Sequence, residues 1–283
     1  MEIADLRGRT ALVTGAASGI GRETALAFAR RGADLVLCDV NEAGLASCAE
    51  AIRALRRGAA HIHVVDVADA AQMARFADAV HARVPAVDIL MNNAGVAIGG
   101  SFFDTSLADW QWILGINVLG VVHGCHFFVP AMRRRGAGGH VVNVASAAGY
   151  VSNSGLAAYS TTKFGVVGLS EALRQELAPD GIGVTCICPG IIDTPITRAA
   201  KLVGEAASDD VRKRMIETYR RRGYGPERVA KNVLRAVERN RGLAPITPEA
   251  WVMYYAKRFV PGLWERINAA LSRRQRRQLG VEP

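Results

Sequence analysis

The 283-residue sequence holds no uninterrupted apolar run approaching the roughly 18 residues that a membrane span needs. Its opening, MEIADLRGRTALVTG, lacks a basic stretch followed by an apolar one, so no secretory signal is expected there. Cysteine is scarce: the five residues Cys38, Cys48, Cys125, Cys186 and Cys188 are odd in number and scattered. None has a neighbour at metal-ligand spacing, and a disulfide framework is not expected. Cys186 and Cys188 stand two apart in a strand-like run and are expected on opposite faces of it. All five are expected to be reduced and mostly buried, in a cytoplasmic protein. Six histidines are present. His123 and His126 lie three apart on a helical run, but no carboxylate or cysteine completes a site there, so a structural role is expected and no metal.

Half of the residues are hydrophobic and 29 are glycine, the balance of a well-packed α/β domain. The net charge of +9 is unevenly placed. Residues 1–197 carry 15 Lys/Arg and 17 Asp/Glu, whereas 198–283 carry 20 and 9. The first two thirds resemble an ordinary globular domain, and the basicity belongs to the last third.

A short apolar strand over 10–14 runs into Gly15-Ala16-Ala17-Ser18-Gly19-Ile20-Gly21 and then a helical pattern to Arg31. Strand, glycine turn and helix form the geometry that seats a pyrophosphate on a helix N-terminus. Gly15 permits the tight turn, Gly19 the approach of phosphates, and Gly21 close packing of helix on strand. The spacing is GxxxGxG rather than the commoner GxGxxG. A second strand over 34–38 is followed by Asp39. A carboxylate there can accept from both hydroxyls of an adenosine ribose and would repel a 2′-phosphate, which favours NAD over NADP. A helix N-cap role suits Asp39 equally well. Further strands are expected over 61–65 and 87–91, with helices over 42–57 and 70–83. This alternation makes βαβ units and a doubly wound, mostly parallel sheet. Asp39, Asp66 and Asn92 follow strand ends and should line one crevice.

Tyr159 and Lys163 stand one helical turn apart. An ammonium beside a phenol favours the phenolate and should draw the tyrosine below its ordinary value of about 10. A phenol so tuned can exchange a proton with an alcohol or carbonyl oxygen.

Residues 14–21, 92–95, Asn117, Ser146, Tyr159, Lys163 and Pro189-Gly190, in this order, resemble the short-chain dehydrogenase/reductase family over about 6–195. The resemblance implies a Rossmann-type fold with a seven-stranded sheet and an NAD(P)-dependent oxidoreductase that is a homodimer or homotetramer. It implies Tyr159 as general acid/base, Lys163 lowering its pKa and holding the nicotinamide ribose, and Ser146 orienting the substrate oxygen. Asn117, in a helical run over 106–135, would support a water linking Lys163 to solvent. The same resemblance places cofactor contacts at Gly15, Ser18, Gly19, Ile20 and Gly21, at Asp39, at Asp66 and Val67, and at Asn93, Ala94 and Gly95. Pro189, Gly190, Ile192 and Thr194 complete them, beside Tyr159 and Lys163. An alternative class is a dinucleotide-binding sensor or scaffold without turnover.

One domain is expected over 1–247, with a substrate loop over about 191–222, in which 196–204 is expected to start a flexible segment that closes over substrate. A helical extension follows over 248–283. Segments 96–102, 147–156 and 191–203 are small or apolar and should form the substrate wall. They suit a bulky hydrophobic alcohol or ketone such as a lipid, steroid or terpenoid. From Pro248 onward Trp251, Tyr254, Tyr255, Phe259 and Trp264 interleave with Lys257, Arg258, Arg266 and four further arginines, around a hinge at Pro261-Gly262. Packing on the body or on a sister subunit is one reading. A lid with a peripheral membrane contact through 248–278 is another. Nucleic acid is disfavoured, because the aromatics fall on apolar helix faces.

Overall fold

A computed structural model of the chain describes residues 5–55 and 59–279. The first half comprises β1 (Thr10–Thr14), α1 (Gly19–Ala29), β2 (Asp34–Asp39), α2 (Glu42–Ala54), β3 (Ala60–Val64), α3 (Ala70–His81) and β4 (Ile89–Asn92). After a two-residue strand β5 (Ile98–Gly99) come α4 (Leu107–Leu114), a π-helical stretch (Gly115–Leu119) and α5 (Gly120–Arg135). Then follow β6 (Gly139–Val144), α6 (Ala157–Leu177) and β7 (Ile182–Cys188). The last third contains α7 (Pro195–Ala199), β8 (Lys201–Leu202), α8 (Asp209–Arg222), α9 (Pro226–Glu238), β9 (Leu243–Pro245), α10 (Pro248–Phe259) and α11 (Pro261–Leu279). Boundaries fall within two residues of expectation except at α2, expected to reach residue 57. It ends at Ala54, and 56–58 lie outside the described residues.

Seven strands form one sheet in the order β3-β2-β1-β4-β6-β7-β9, and every pairing in it is parallel. Such a sheet must be covered on both faces, which is why β1, β4 and β7 read as nearly continuous apolar runs. One face is packed by α3, α5 and α6 through Met73, Phe76, Phe128, Met132 and Val166. The other is packed by α1, α2 and α9 through Leu26, Phe28, Leu45, Ile52, Val233 and Val237. The strand order reverses between β1 and β4, and the crevice at their carboxyl ends is where ligands of such sheets sit.

Short polar side chains cap several of the helices. Asn41 accepts from the Gly44 N–H, Asp69 from those of Ala71 and Gln72, and Ser106 and Asp109 form a reciprocal capping box on α4. The continuous helix Leu107–Arg135 is long and apolar enough to cross a membrane by length and composition. The expectation of no such segment counted uninterrupted runs, and Asn117, His123 and His126 interrupt this one. Its inner face is sheet core over α5, where Val121, Phe128 and Met132 are buried.

Segment 196–204, expected to be flexible, is tied down instead. Lys201 and Val203 donate backbone N–H bonds to Ala97 and Gly99, which pairs β8 with β5.

Candidate active site

The glycine turn is as tight as its sequence implies. Gly15 and Gly19 adopt φ of +65° and +55°, a region costly for other residues. A Cβ on Gly15 would stand 2.8 Å from both Ala94 Cα and Asn93 Nδ2, and one on Gly21 would overlap the Gly15 carbonyl. Across the turn, Thr14 Oγ1 accepts from the Asn93 and Ala94 N–H groups at 3.0 and 3.1 Å. Asn93 Nδ2 donates back to the Thr14 and Gly15 carbonyls. Those bonds staple the end of β1 to the end of β4. Ser18 is the extended residue before α1 and uses no side-chain cap, so the first N–H groups of α1, from Gly19 onward with Ile20 behind them, face the crevice.

Asp39 closes the end of β2. One carboxylate oxygen accepts from the Ala17 N–H and the other from the Asn41 N–H, each at 3.0 Å. The carboxylate therefore lies over the glycine turn, and the N-cap role that suited it falls to Asn41. Asp66 accepts from the Ala68 N–H at 2.9 Å. The neighbouring Val67 carbonyl takes a 2.8 Å hydrogen bond from His123 Nδ1, the structural role expected of that histidine. Asn92 departs from expectation. It is the last residue of β4, is buried inside the sheet and donates to Asn143 Oδ1 at 2.9 Å. Asn93, Ala94 and Gly95 line the crevice instead.

Beyond β7, Pro189 and Gly190 lead past Ile192 to Thr194, which faces the start of α1. A Cβ on Gly19 would stand 3.5 Å from Thr194 Cβ. Glu249, at the start of α10, braces this loop. Its Oε1 accepts from the Ile191 N–H at 3.3 Å and its Oε2 pairs with Arg222 of α8 at 3.1 Å. The sequence offered no more for this brace than the helix start Thr247-Pro248-Glu249.

Tyr159 and Lys163 leave α6 on one side, with the Lys163 Nζ 5.6 Å from the phenol ring centroid. Lys163 is 4% exposed and donates to the Val144 carbonyl at 3.0 Å. Asn117 sits on the π-helical stretch, a distortion common at functional sites. Its Oδ1 accepts from the Val96 N–H at 2.8 Å, and its Nδ2 donates to the Val96 carbonyl at 2.9 Å and to Thr162 Oγ1 at 3.1 Å. A Cβ on Gly95 would stand 3.2 Å from Asn117 Oδ1 and 3.5 Å from Lys163 Nζ, so the backbone at 95–96 runs against both. Ser146 follows β6; its hydroxyl accepts from the Ala148 N–H at 3.1 Å and donates to the Pro189 carbonyl at 3.4 Å. Asn117, Ser146, Tyr159 and Lys163 thus share one end of the crevice, with the glycine turn and Asp39 at the other.

The expected acidification of Tyr159 is not the balance seen. Burial pushes its phenol up to about 12, while the nearby Ser146 hydroxyl pulls the other way. Burial also draws Lys163 down to about 8. Desolvation is the largest influence on both groups. The thiols of Cys186 and Cys188 share the face of β7 nearest Lys163, with sulfurs 3.9 Å apart. Strand side chains alternate with period two, so residues two apart lie on the same face, and the opposite-face expectation was wrong.

The three wall segments converge. β5 pairs with β8, and the Gly100 N–H donates to the Gly155 carbonyl at 2.8 Å. Tyr159 packs beside Ile98, Ile113 and Ala158 with Val96, Trp110 and Val203 around them. The nearby charges cancel in a 2.5 Å pair between Lys201 and Asp109. Helix α8 contributes a residue the sequence did not single out for chemistry: the Tyr219 phenol is near enough to raise the Tyr159 pKa.

Residues 9–202 match the sequence profile described as short chain dehydrogenase. The chain is 42% identical over 253 residues to "Probable oxidoreductase EphD" of Mycobacterium tuberculosis, covering 88% of this chain but 43% of that protein, so it spans less than half of that relative. It is 33% identical over 272 residues to the M. tuberculosis protein SadH, whose name describes an oxidoreductase, covering 95% of this chain and 96% of that one. Among solved structures it is similar to a short chain dehydrogenase/reductase from Burkholderia phymatum in complex with NAD. That match has 31% identity, covers 93% of this chain and 96% of the other, and has a TM-score of 0.82.

Proposed function

The chain belongs to the short-chain dehydrogenase/reductase family, and we propose that it is an NAD-preferring oxidoreductase acting on a bulky apolar secondary alcohol or its ketone. The observation that carries this reading is the convergence of Ser146, Tyr159, Lys163 and Asn117 on one end of a crevice whose other end is a glycine cradle. The cradle fits a dinucleotide: Gly15 and Gly21 let the turn close against backbone that a Cβ would strike, and the uncapped start of α1 lies beside it. Asp39 fits an unphosphorylated adenosine ribose, the basis for preferring NAD over NADP.

When bound, the cofactor supplies the hydride acceptor or donor at the carbinol carbon. The chain's own residues do the rest. Ser146 hydrogen-bonds the substrate oxygen and fixes its direction. Tyr159 is protonated at working pH, because burial holds it near 12, and so it is ready to protonate the developing alkoxide in reduction. In oxidation it must lose that proton, and the Lys163 ammonium stabilises the phenolate that forms. Asn117 holds the 95–96 backbone against Lys163 and supports the water path that returns the proton to solvent. The apolar wall favours lipid-, steroid- or terpenoid-like substrates over phosphorylated sugars or diacids. The five free, buried thiols suit a reducing, cytoplasmic location. A homodimer or homotetramer is the expected assembly.

The test is a panel of hydrophobic secondary alcohols followed by absorbance of reduced cofactor, with Tyr159→Phe as the variant. Turnover with wild type, lost by several orders of magnitude in Tyr159→Phe at unchanged NAD affinity, supports the reading. Turnover surviving in that variant overturns it.

A further inference from the structure

The last two helices are seated on the body by one side only. Ala250 and Trp264 are buried in the core cluster on the α5–α6 face of the sheet. The Tyr150 hydroxyl donates to the Ala250 carbonyl at 2.8 Å, and Asn268 Nδ2 donates to the Ser152 carbonyl at 2.9 Å. Their other side is apolar and open. Val252, Tyr255 and Phe259 recur at helical spacing on α10, and Leu263 and Ile267 stand one turn apart on α11. All five are exposed, Phe259 by 71% and Leu263 by 57%. A fixed apolar face of this extent marks a contact surface.

Charge selects the occupant. Residues 248–279 hold seven Lys/Arg and two Glu, and one of the two, Glu249, is already paired with Arg222. Exposed Arg258 adjoins Phe259, and exposed Arg266 and Arg273 lie two turns apart on one flank of α11, beside the Leu263–Ile267 stripe. A second copy meeting this face by two-fold symmetry would bring two patches of the same net positive charge together. An anionic bilayer satisfies both parts, taking the apolar side chains into the headgroup boundary and the arginines at the phosphates. We propose that α10 and α11 dock the protein on an anionic lipid surface. Ser152, the acceptor for Asn268, lies in the 147–156 wall of the substrate site. Resting on the proposed function, this puts the mouth of an apolar pocket beside the medium in which apolar alcohols collect.

The experiment is co-sedimentation of the full chain with vesicles of phosphatidylcholine alone or mixed equally with phosphatidylglycerol. It needs no turnover, so its result stands apart from the enzyme assignment. The expected result is binding to the anionic vesicles, weaker by about tenfold or more on phosphatidylcholine or at high salt. Phe259→Ser/Leu263→Ser, and separately Arg258→Glu/Arg266→Glu/Arg273→Glu, should each lower partition by about tenfold. All these positions are exposed, so circular dichroism and NAD binding should be unchanged. Absence of binding by wild type, equal binding to both vesicle types, or variants that bind as wild type overturns the proposal. So does concentration-dependent self-association in ultracentrifugation that Phe259→Ser/Leu263→Ser abolishes, because the face would then belong to a second copy.

Discussion

Removing the Asn117 side chain tests whether one buried amide holds the catalytic end of the crevice in shape. Asn117 is 1% exposed and makes three hydrogen bonds, two of them to the backbone of Val96. In Asn117→Ala the Val96 N–H loses its acceptor and the Val96 carbonyl loses a donor. An unsatisfied buried group costs about 1–3 kcal/mol. Val96 is only half-buried, so water recovers part of this. Thr162 loses an accepted bond but still donates to the Tyr159 carbonyl at 2.7 Å. A net loss of about 2 kcal/mol follows, or a Tm lower by roughly 3–4 °C in a chain of this size. The larger effect falls on activity. Gly95 lies against Lys163 Nζ, and Ile98, two residues past Val96, enters β5, which pairs with β8 of segment 196–204. A shift of about 1 Å in such a segment costs on the order of 100-fold in kcat/KM. Thermal melts and steady-state kinetics read the two effects separately. A lowered Tm with kcat/KM within twofold of wild type would refute the reasoning, because Asn117 would then serve stability without serving the site.

Asp39→Ala should raise affinity for NADP relative to NAD by tenfold or more, read by cofactor titration; an unchanged ratio means the carboxylate does not face the ribose. Lys163 has a pH signature. Its folded value, about 8, lies below the ordinary 10.5, so between those values the unfolded chain holds the extra proton and stability rises with pH. The slope reaches about 1.4 kcal/mol per pH unit at its steepest. In denaturant melts from pH 7 to 10, wild type should gain stability relative to Lys163→Met; parallel curves would show that the amine is not desolvated.

The sheet and its order of elements were legible because strand-ending residues and glycine turns punctuate apolar runs at βαβ spacing. The cradle was legible for the same reason, since Gly15 and Gly21 sit where backbone must pass backbone. What the sequence hid depends on contacts between distant segments. The β5–β8 pair has two residues on each side, too short for alternation to register, and segment 196–204 therefore read as flexible. Asn92 was misplaced by one position, and one position in a strand exchanges the crevice for the core. The pKa of Tyr159 was misjudged in direction, because spacing reports the Lys163 charge and says nothing of the burial that opposes it.

The brace at Glu249 joins parts that spacing kept apart. Its carboxylate holds the Ile191 N–H of the loop after β7 and the Arg222 guanidinium at the end of α8. Gly190 approaches it so closely that a Cβ there would stand 2.9 Å from Glu249 Oε1. Helix α10 is therefore mechanically continuous with the loop that precedes Thr194 and with the helix that carries Tyr219 toward Tyr159. A load on α10, such as docking through its outer face, can reach the loop before Thr194 through that carboxylate. Any change in NAD affinity caused by docking must be matched by an equal change in docking affinity caused by NAD. Severing the brace with Glu249→Gln would remove one ionic contact and leave both surfaces intact, so coupling that ran through it would vanish while docking and cofactor binding each persisted.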